Sequence, residues 1–287
     1  MGSVDFRSFL VIMNVMEPIS EKPKRDFLLP ASILISALIV SLALVYNVGK
    51  RAEKGPESVS AGVASAPALE KVRAVNQDDH LRGKKDAPIV VVEFSDLECP
   101  YCKILHKTIQ EVVAGYGDDV ALVFRHFPLD ELHQKARHEA EAAECANELG
   151  GSDKFWAYLD RLFAVTPSNN GLDPAELPRI AEYVGLPKGN FASCLSSGKY
   201  AARIQADEEE GMAAGVRGTP YSVLLLRNEA SAGAKDFITA TNSEIAQQLP
   251  PGSPPTLFVA ADGKRVSMNG ALPYELVKQV FDKLLNR

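Results

Sequence analysis

PIVVVEFSDLECPYC, residues 88–102, is the stretch of this sequence that decides its fold. It opens on an almost unbroken run of β-branched residues at 89–92, a pattern typical of a strand that is buried on both faces. It closes on Cys99 and Cys102, and Pro100 between them suits the first position of a helix. The stretch therefore predicts a buried strand that leads directly into a helix, with a cysteine pair at the helix N-terminus.

Strands and helices follow on the C-terminal side of this stretch. The helix ends near Gly117, and 120–127 is a second strand, so the order strand–helix–strand predicts a parallel pair. A helical pattern then fills 132–214. The later elements are strands at 221–226, 256–259 and 264–268 and an amphipathic helix at 274–285. Strands separated by a helical block predict an α/β thioredoxin fold with an inserted helical domain at about 130–214.

An uncharged apolar run, 27–48, precedes the globular part. Its 22 residues include no Asp, Glu, Lys, Arg or His, and about 20 residues are needed to span a bilayer as a helix. We predict one N-terminal transmembrane helix here, after a tail at 1–26, followed by a flexible linker at 49–70 and a globular domain at 71–287. A cleaved signal peptide is the alternative, although its apolar core would be only about 7–15 residues long. A buried core helix is the other alternative.

Charge and composition narrow the class of protein. The net charge of −6 argues against nucleic acid as a partner, because phosphate binding requires a basic face. Apolar residues make up 46% and charged residues 24% of the chain, which is ordinary for a globular domain. Basic residues flank the apolar run equally, so the positive-inside rule does not orient it.

The spacing of Cys99 and Cys102 places both sulfurs on one face of the first helical turn, close enough to bond. At a helix N-terminus, unpaired backbone N–H groups and the helix dipole stabilise the Cys99 thiolate. Cys102, one turn further, is more shielded and suits the role of resolving thiol. Because a stabilised thiolate favours the reduced form, the disulfide becomes more oxidising. The pair predicts a redox centre without metal or cofactor.

Three other interpretations of the cysteine pair fit less well. A structural zinc site needs four ligands, and His106 adds only one. Haem attachment requires a histidine directly after the second cysteine, where this sequence has Lys103. A purely structural disulfide across so short a loop constrains the unfolded chain little.

The segment 91–102 resembles the active-site segment of DsbA-like disulfide oxidoreductases of the thioredoxin superfamily. The similarity covers the chain from about Val72 onward and leaves the apolar run and the linker outside. It continues, in order, through 126–129, 142–146, 191–195, 215–220 and 269–274. This ordered set is far more specific than the cysteine pair alone.

The resemblance implies roles for residues around the thiols. Glu93 matches an acidic residue beneath the active site that helps to move the proton of the resolving cysteine. The alternative is an edge-strand glutamate that faces water, but the apolar run before it favours burial. In the dipeptide Pro100-Tyr101, Tyr101 occupies a position where the strongest oxidants of the family often carry histidine. Tyrosine brings no positive charge there.

Pro220 matches the cis-proline that faces the cysteine pair, and the backbone of Thr219 would bind a substrate strand. Pro255, directly before the strand at 256–259, is a second candidate, but Pro220 is preferred because it directly follows the helical block. The segment 227–255 separates the cis-proline strand from the closing hairpin, unlike in the family. This segment is small, polar and bounded by prolines. We predict an extra surface loop with one short helix near 243–249, and a substrate contact is the alternative.

Cys145 and Cys194 both lie on apolar helix faces of the inserted block. They form either a structural disulfide or two ordinary buried thiols. The even count of four cysteines, in a chain that works in an oxidising compartment, favours the disulfide.

Other polar clusters carry weak signals. The acidic run 207–210 is interpreted as a solvated helix face. His133 and His138 have no zinc-site spacing with an acidic residue, so we expect them on a helix, facing solvent or making local hydrogen bonds.

These features predict a disulfide oxidase in which a substrate thiolate attacks Cys99 and the substrate's second thiol then releases both cysteines reduced. The partners implied are reduced cysteine-containing polypeptides and a DsbB-like or VKOR-like membrane protein that reoxidises the pair. The catalytic domain is expected outside the cytoplasmic membrane, on a single-pass monomer with its tail in the cytoplasm. A reductase or isomerase of the same fold and a non-redox binding module remain the alternatives.

Overall fold

The computed structural model describes residues 66–287. The predicted tail (1–26), the predicted transmembrane helix (27–48) and most of the predicted linker (49–70) lie outside the described residues. Each helix within 66–287 is too short or too polar to cross a membrane.

A six-stranded sheet runs through the described part of the chain, in the order β1–β3–β2–β4–β6–β5. Its strands are β1 (His80–Arg82), β2 (Ile89–Ser95), β3 (Val120–His126), β4 (Tyr221–Leu226), β5 (Leu257–Val259) and β6 (Arg265–Asn269). β2 and β3 are parallel, as predicted, and the other pairs are antiparallel. β2 is therefore central, whereas both edge strands are only three residues long.

β2 is buried along its whole length, as its β-branched run predicted. It leads into α1 (Pro100–Tyr116), and Ile89 and Val91 pack in the same core as Leu105 of this helix. The alternate side chains of β2 belong to the core on the other face of the sheet. Ile104 of α1 does not join this core and is 54% exposed.

The predicted insertion between β3 and β4 is helical. Its helices are α2 (Ala136–Val165), α3 (Glu176–Tyr183), α4 (Lys188–Ser196) and α5 (Ala201–Ala214). α2 is interrupted at Gly151 by a non-helical backbone with φ 72° and ψ −170°. Cys145 of α2 and Cys194 of α4 form the predicted disulfide, with Cα atoms 5.8 Å apart. The bond ties together two helices of the insertion.

The expectation that 207–210 forms a solvated helix face is wrong for its two ends. Asp207 accepts a hydrogen bond from the backbone N of His126 at 3.2 Å. Glu210 accepts a hydrogen bond of 2.6 Å from Arg125 Nη1, and Asp79 accepts one of 3.1 Å from Arg125 Nε. Arg125 is fully buried, so these carboxylates balance a charge inside the protein. A helical pattern alone does not reveal a buried arginine on a distant strand.

The prediction of an extra loop at 227–255 is also wrong. The segment contains α6 (Ala232–Ala246), which begins well before the short helix expected at 243–249. Its buried residues, Ala234 and Ile238, are four positions apart and so share one helix face. Most of the helix is built from small and polar residues, and these conceal its apolar period in the sequence.

α6 is anchored at both ends to its neighbours. The Ser231 side chain caps its N-terminus by accepting a hydrogen bond from the next turn. Near its C-terminus, Asn242 Oδ1 accepts hydrogen bonds from the backbone N of Thr256 (2.9 Å) and of Leu257 (3.0 Å). α6 also contacts the closing helix α7 (Tyr274–Leu284). The segment is therefore an integral part of the domain beside edge strand β5.

Candidate functional site

The turn after β2 holds Cys99 at the N-terminus of α1. Cys99 precedes the helix with an extended backbone (φ −77°, ψ 123°), and Pro100 begins the helix, as predicted. The Cys99 backbone N donates a hydrogen bond to Asp96 O at 3.2 Å, and Lys103 N donates one to Cys99 O at 3.2 Å. This turn places the cysteine at the positive end of the helix dipole.

Cys99 and Cys102 are free thiols in this structure. A hydrogen bond from Cys102 lowers the pKa of Cys99 from 9.0 to about 6, against the opposing effect of burial. Hydrogen bonds from the backbones of Cys102 and Tyr101 also lower this pKa. At neutral pH Cys99 is therefore largely a thiolate, the form that attacks disulfides.

Cys102 has the opposite character. Its side chain is fully buried, whereas Cys99 keeps 4% of its surface accessible. Burial raises the pKa of Cys102 above 9.0, and the charge of the Cys99 thiolate raises it further. The backbone N of Asp96 donates a hydrogen bond to Cys102 Sγ at 3.4 Å. The site thus contains one ionised thiol near the surface and one protonated thiol beneath it.

The loop before β4 faces the cysteine pair. The Thr219–Pro220 peptide bond is the only cis bond in residues 66–287. Pro220, and not Pro255, is therefore the cis-proline. Thr219 O accepts a hydrogen bond from the Cys99 thiol at 3.5 Å, and Pro220 O accepts one from Gly270 N at 2.9 Å. The loop is therefore held against Cys99 from one side and against the end of β6 from the other.

Glu93 lies inside the protein, as predicted, and not on an exposed edge. Its exposed fraction is 0%, and it lies on the same face of β2 as Val91, towards α1. Neither carboxylate oxygen has a hydrogen-bond partner among the described residues. Burial raises the pKa of Glu93 above its ordinary 4.5, and the His106 charge and the Ser95 hydroxyl oppose this rise.

His133 and Asp96 form a pair behind the cysteines that was not predicted from the sequence. His133 was expected on a helix, but it precedes α2 and is buried. Its Nδ1 donates a hydrogen bond of 2.9 Å to Asp96 Oδ2. Burial lowers the pKa of His133, but the contact with Asp96 and the nearby Cys99 thiolate outweigh it and raise the pKa above 6.5. Only the position of Asp96 three residues before Cys99 hinted at this role.

Two further carboxyl groups lie behind the active-site turn. Glu98 and Glu139 are both buried, with exposed fractions of 0% and 2%. Burial, followed by the contact with Glu98, raises the pKa of Glu139 to about 10. Glu139 is therefore protonated at neutral pH. In the sequence it looks like any glutamate in the first turn of a helix.

One cluster away from the thiols has metal-ligand chemistry. The ligand atoms of His80, His126 and Glu144 lie within 4.8 Å of one another, and all three residues are buried. However, Arg203 Nε donates a hydrogen bond of 2.7 Å to Glu144 Oε1, the same oxygen that contacts both histidines. The guanidinium already supplies positive charge at this oxygen, so we assign the cluster a structural role.

The fold and the site define a thioredoxin-fold protein with an inserted helical domain and a Cys-Pro-Tyr-Cys redox pair opposite a cis-proline. A family model described as thioredoxin matches residues 75–225. The chain belongs to this family.

Solved structures of DsbA proteins share this fold. Pseudomonas aeruginosa DsbA2 superposes with a TM-score of 0.53 at 24% identity, over 72% of this chain and 95% of that one. Wolbachia pipientis alpha-DsbA1 superposes with a TM-score of 0.56 at 19% identity, over 76% of this chain and 96% of that one. At these identities the likeness establishes the fold.

Curated relatives of higher identity are much longer proteins. The Na(+)/H(+) antiporter NhaA 3 of Salinispora tropica is 35% identical over 191 residues, which are 66% of this chain and 28% of that protein. The Na(+)/H(+) antiporter NhaA 1 of Mycolicibacterium vanbaalenii is 37% identical over 155 residues, 53% of this chain and 24% of that protein. The chain thus spans less than a third of the length of these relatives.

Proposed function

We propose that this protein is a thiol:disulfide oxidase that forms disulfide bonds in exported polypeptides. The observation that carries the proposal is the contrast between the two thiols, with a pKa of about 6 for Cys99 and a raised pKa for the buried Cys102. A stabilised Cys99 thiolate is a good leaving group and favours the reduced pair, so the oxidised pair readily donates its disulfide. The DsbA-like fold is consistent with this direction.

In the proposed reaction, a client thiolate attacks Cys99 Sγ of the Cys99–Cys102 disulfide, and the bond between the two sulfurs breaks. Cys102 leaves as a thiolate and takes up a proton. A second client thiolate then attacks the client sulfur of the mixed disulfide, so that the client gains a disulfide and Cys99 leaves as its stable thiolate. The backbone of Thr219, beside Cys99, is placed to bind the client strand.

The proposed setting is the outer side of the cytoplasmic membrane, on a monomer anchored by 27–48. A domain that donates disulfides is useful only where disulfides persist, and the Cys145–Cys194 bond is of the kind found in such compartments. Reoxidation of the cysteine pair would then fall to a membrane partner of the DsbB or VKOR kind.

A single-turnover assay with cysteine variants tests the oxidase. The oxidised full chain is mixed with a reduced peptide that carries two cysteines, and the peptide disulfide is followed by mass spectrometry. We expect the wild type to form the peptide disulfide rapidly and Cys99→Ser to form none. When Cys102→Ser is given a peptide with one activated cysteine, a mixed disulfide between Cys99 and the peptide should accumulate. A Cys99→Ser variant that still forms the peptide disulfide would contradict the proposal.

The equilibrium of the pair with glutathione separates the oxidase from a reductase. A thiol pKa of about 6 lies between the values of roughly 7 for thioredoxin and 3.5 for DsbA. We therefore expect a reduction potential between about −270 and −120 mV, the values of those two proteins. A potential at or below that of thioredoxin would favour the reductase.

A further inference from the structure

Reduction of the Cys99–Cys102 disulfide requires that a proton reach the Cys102 sulfur inside the protein. Cys102 leaves as a thiolate at a position with an exposed fraction of 0%. Burial of an unpaired charge is costly, so a proton must reach this sulfur from solvent during each reaction. The groups that line the buried side of Cys102 must supply its route.

Two polar groups on β2 begin such a route. Glu93 and Ser95 are two positions apart on β2 and so share one face of the sheet, and the Ser95 hydroxyl lowers the pKa of both Glu93 and Cys102. Within residues 66–287, neither the Ser95 hydroxyl nor the Glu93 oxygens have a hydrogen bond of ordinary geometry. Buried polar atoms without partners are rare and often mark sites of proton transfer.

His106 extends the route from Glu93 to α2. It lies on α1 one turn after Cys102 and is 4% exposed. Its Nε2 lies 2.9 Å from Asp160 Oδ1 and accepts a hydrogen bond of 2.6 Å from the Gln110 amide. With Nε2 accepting, the neutral ring carries its proton on Nδ1, which is buried and has no partner among the described residues. A positive charge on His106 would stabilise the Glu93 carboxylate, which places the ring within electrostatic reach of Glu93.

The far end of the route opens to solvent. His106, Gln110 and Asp160 line a cavity of about 540 Å³ between α1 and α2. The Asp160 side chain is 40% exposed, and the Gln110 amide donates a hydrogen bond of 2.6 Å to the same Oδ1. Polar groups therefore extend from the buried thiol towards this cavity.

We infer that Ser95, His106 and Asp160 form a proton path between this cavity and the Glu93–Cys102 pair. During disulfide donation Glu93 gives its proton to the Cys102 thiolate, through the Ser95 hydroxyl, and becomes a carboxylate. His106 then gives its Nδ1 proton to Glu93 while its Nε2 takes up a proton delivered at Asp160 from solvent. One proton enters for each disulfide donated, and reoxidation of the pair returns it by the same groups. This inference rests on the proposed function.

Charged groups face His106 from several elements packed against it. Glu93 faces it from β2 and Asp160 from α2, and Arg82 of β1 donates a hydrogen bond of 2.7 Å to the other Asp160 oxygen. Lys103, Lys107 and Glu111 of α1 line the cavity mouth.

Loss and chemical rescue of His106 test the path. The oxidised full chain is reduced by excess dithiothreitol in a stopped-flow instrument between pH 5 and 9, for the wild type, His106→Ala and the matched control His138→Ala, whose histidine is exposed on α2. We expect His106→Ala to slow the step at least about tenfold at neutral pH, and imidazole, but not sodium chloride, to restore it through the cavity. His138→Ala should match the wild type.

Asp160→Asn, which keeps a hydrogen-bond acceptor at the cavity, covers the case in which His106→Ala does not fold. We expect this variant to slow the step and to flatten the pH profile. Rates within twofold of the wild type in the folded variants, or a slow His106→Ala that imidazole does not restore, would overturn the path. Failure of the wild type itself to exchange disulfides would instead overturn the proposed function.

Discussion

His133 donates a 2.9 Å hydrogen bond from Nδ1 to Asp96 Oδ2, and the backbone of Asp96 holds both active-site cysteines. Asp96 O accepts a hydrogen bond from Cys99 N, and Asp96 N donates one to Cys102 Sγ. The pair therefore couples a buried imidazole to the turn that carries the thiols. It also supplies near Cys99 the positive charge that Tyr101 lacks.

His133→Ala is expected to raise the pKa of Cys99 from about 6 towards 9.0. The protonated imidazole stabilises the thiolate, and its removal leaves the Asp96 carboxylate without its partner beside the cysteines. The pKa of His133 is raised in the folded protein, so this stabilisation is complete below 6.5 and is lost as pH rises through the raised value. The rate of alkylation of Cys99 by iodoacetamide, measured against pH, gives the midpoint. An unchanged midpoint in His133→Ala, with His138→Ala as control, would contradict this role.

Glu93→Gln is expected to stabilise the reduced protein at pH 7 and not at pH 4. Burial raises the pKa of Glu93 above 4.5, so the folded state keeps a proton that the unfolded state releases. Below pH 4.5 the Glu93 carboxyl group is protonated in both the folded and the unfolded state, so its burial carries no charge penalty. As pH rises above 4.5 the fold loses stability, until the raised folded pKa is reached. Urea unfolding at both pH values measures the difference, and the exposed Glu111→Gln is the matched control. Equal stability of Glu93→Gln and the wild type at pH 7 would contradict the expectation.

Tyr101→His is expected to lower the pKa of Cys99 further and to make the disulfide a stronger oxidant. Tyr101 is 62% exposed, so a histidine there can be protonated without a burial cost. Its positive charge, two residues from Cys99, would stabilise the thiolate and hence the reduced form. When both variants are equilibrated with glutathione below pH 6, Tyr101→His should have a less negative reduction potential than Tyr101→Phe. Equal potentials for the two variants would rule out this charge effect.

Removal of the Cys145–Cys194 disulfide is expected to cost about 4 kcal/mol of unfolding free energy in the chain-entropy model. The bond closes a loop between residues 49 positions apart, whereas the active-site pair closes a loop of three. The double variant Cys145→Ala/Cys194→Ala should therefore lose much more stability than Cys99→Ala/Cys102→Ala in urea unfolding. The oxidised wild type, unfolded without reductant, should show no free thiol. Two free thiols would contradict the pairing in solution.

The sequence predicted those parts of the fold that local pattern determines. The β-branched run gave β2, the cysteine at a helix start gave α1, and the hairpin at β5 and β6 followed from its turn residues. These elements have strong periodicity and clear boundaries. The inserted helices were also predicted, because their apolar faces repeat at helical spacing.

The features that sequence reasoning missed depend on tertiary contacts. α6 has small residues on its buried face, and only its contacts with β5 and α7 show that it belongs to the core. His133 meets Asp96, and His106 meets Asp160, from distant parts of the chain. A lone histidine or acidic residue carries no pattern, and its partner is known only once the fold brings the two together.

The two short edge strands affect how such a protein can handle unfolded clients. An unfolded chain offers extended backbone, and extended backbone adds readily to long, flat sheet edges, which is a route to aggregation. β1 and β5 each present only three residues, and α6 lies against β5. A client strand therefore gains few backbone hydrogen bonds at either edge, and capture is favoured at the Thr219–Pro220 loop, next to the sulfur that reacts. Under the proposed oxidase function, these short edges would favour release of a client after one exchange.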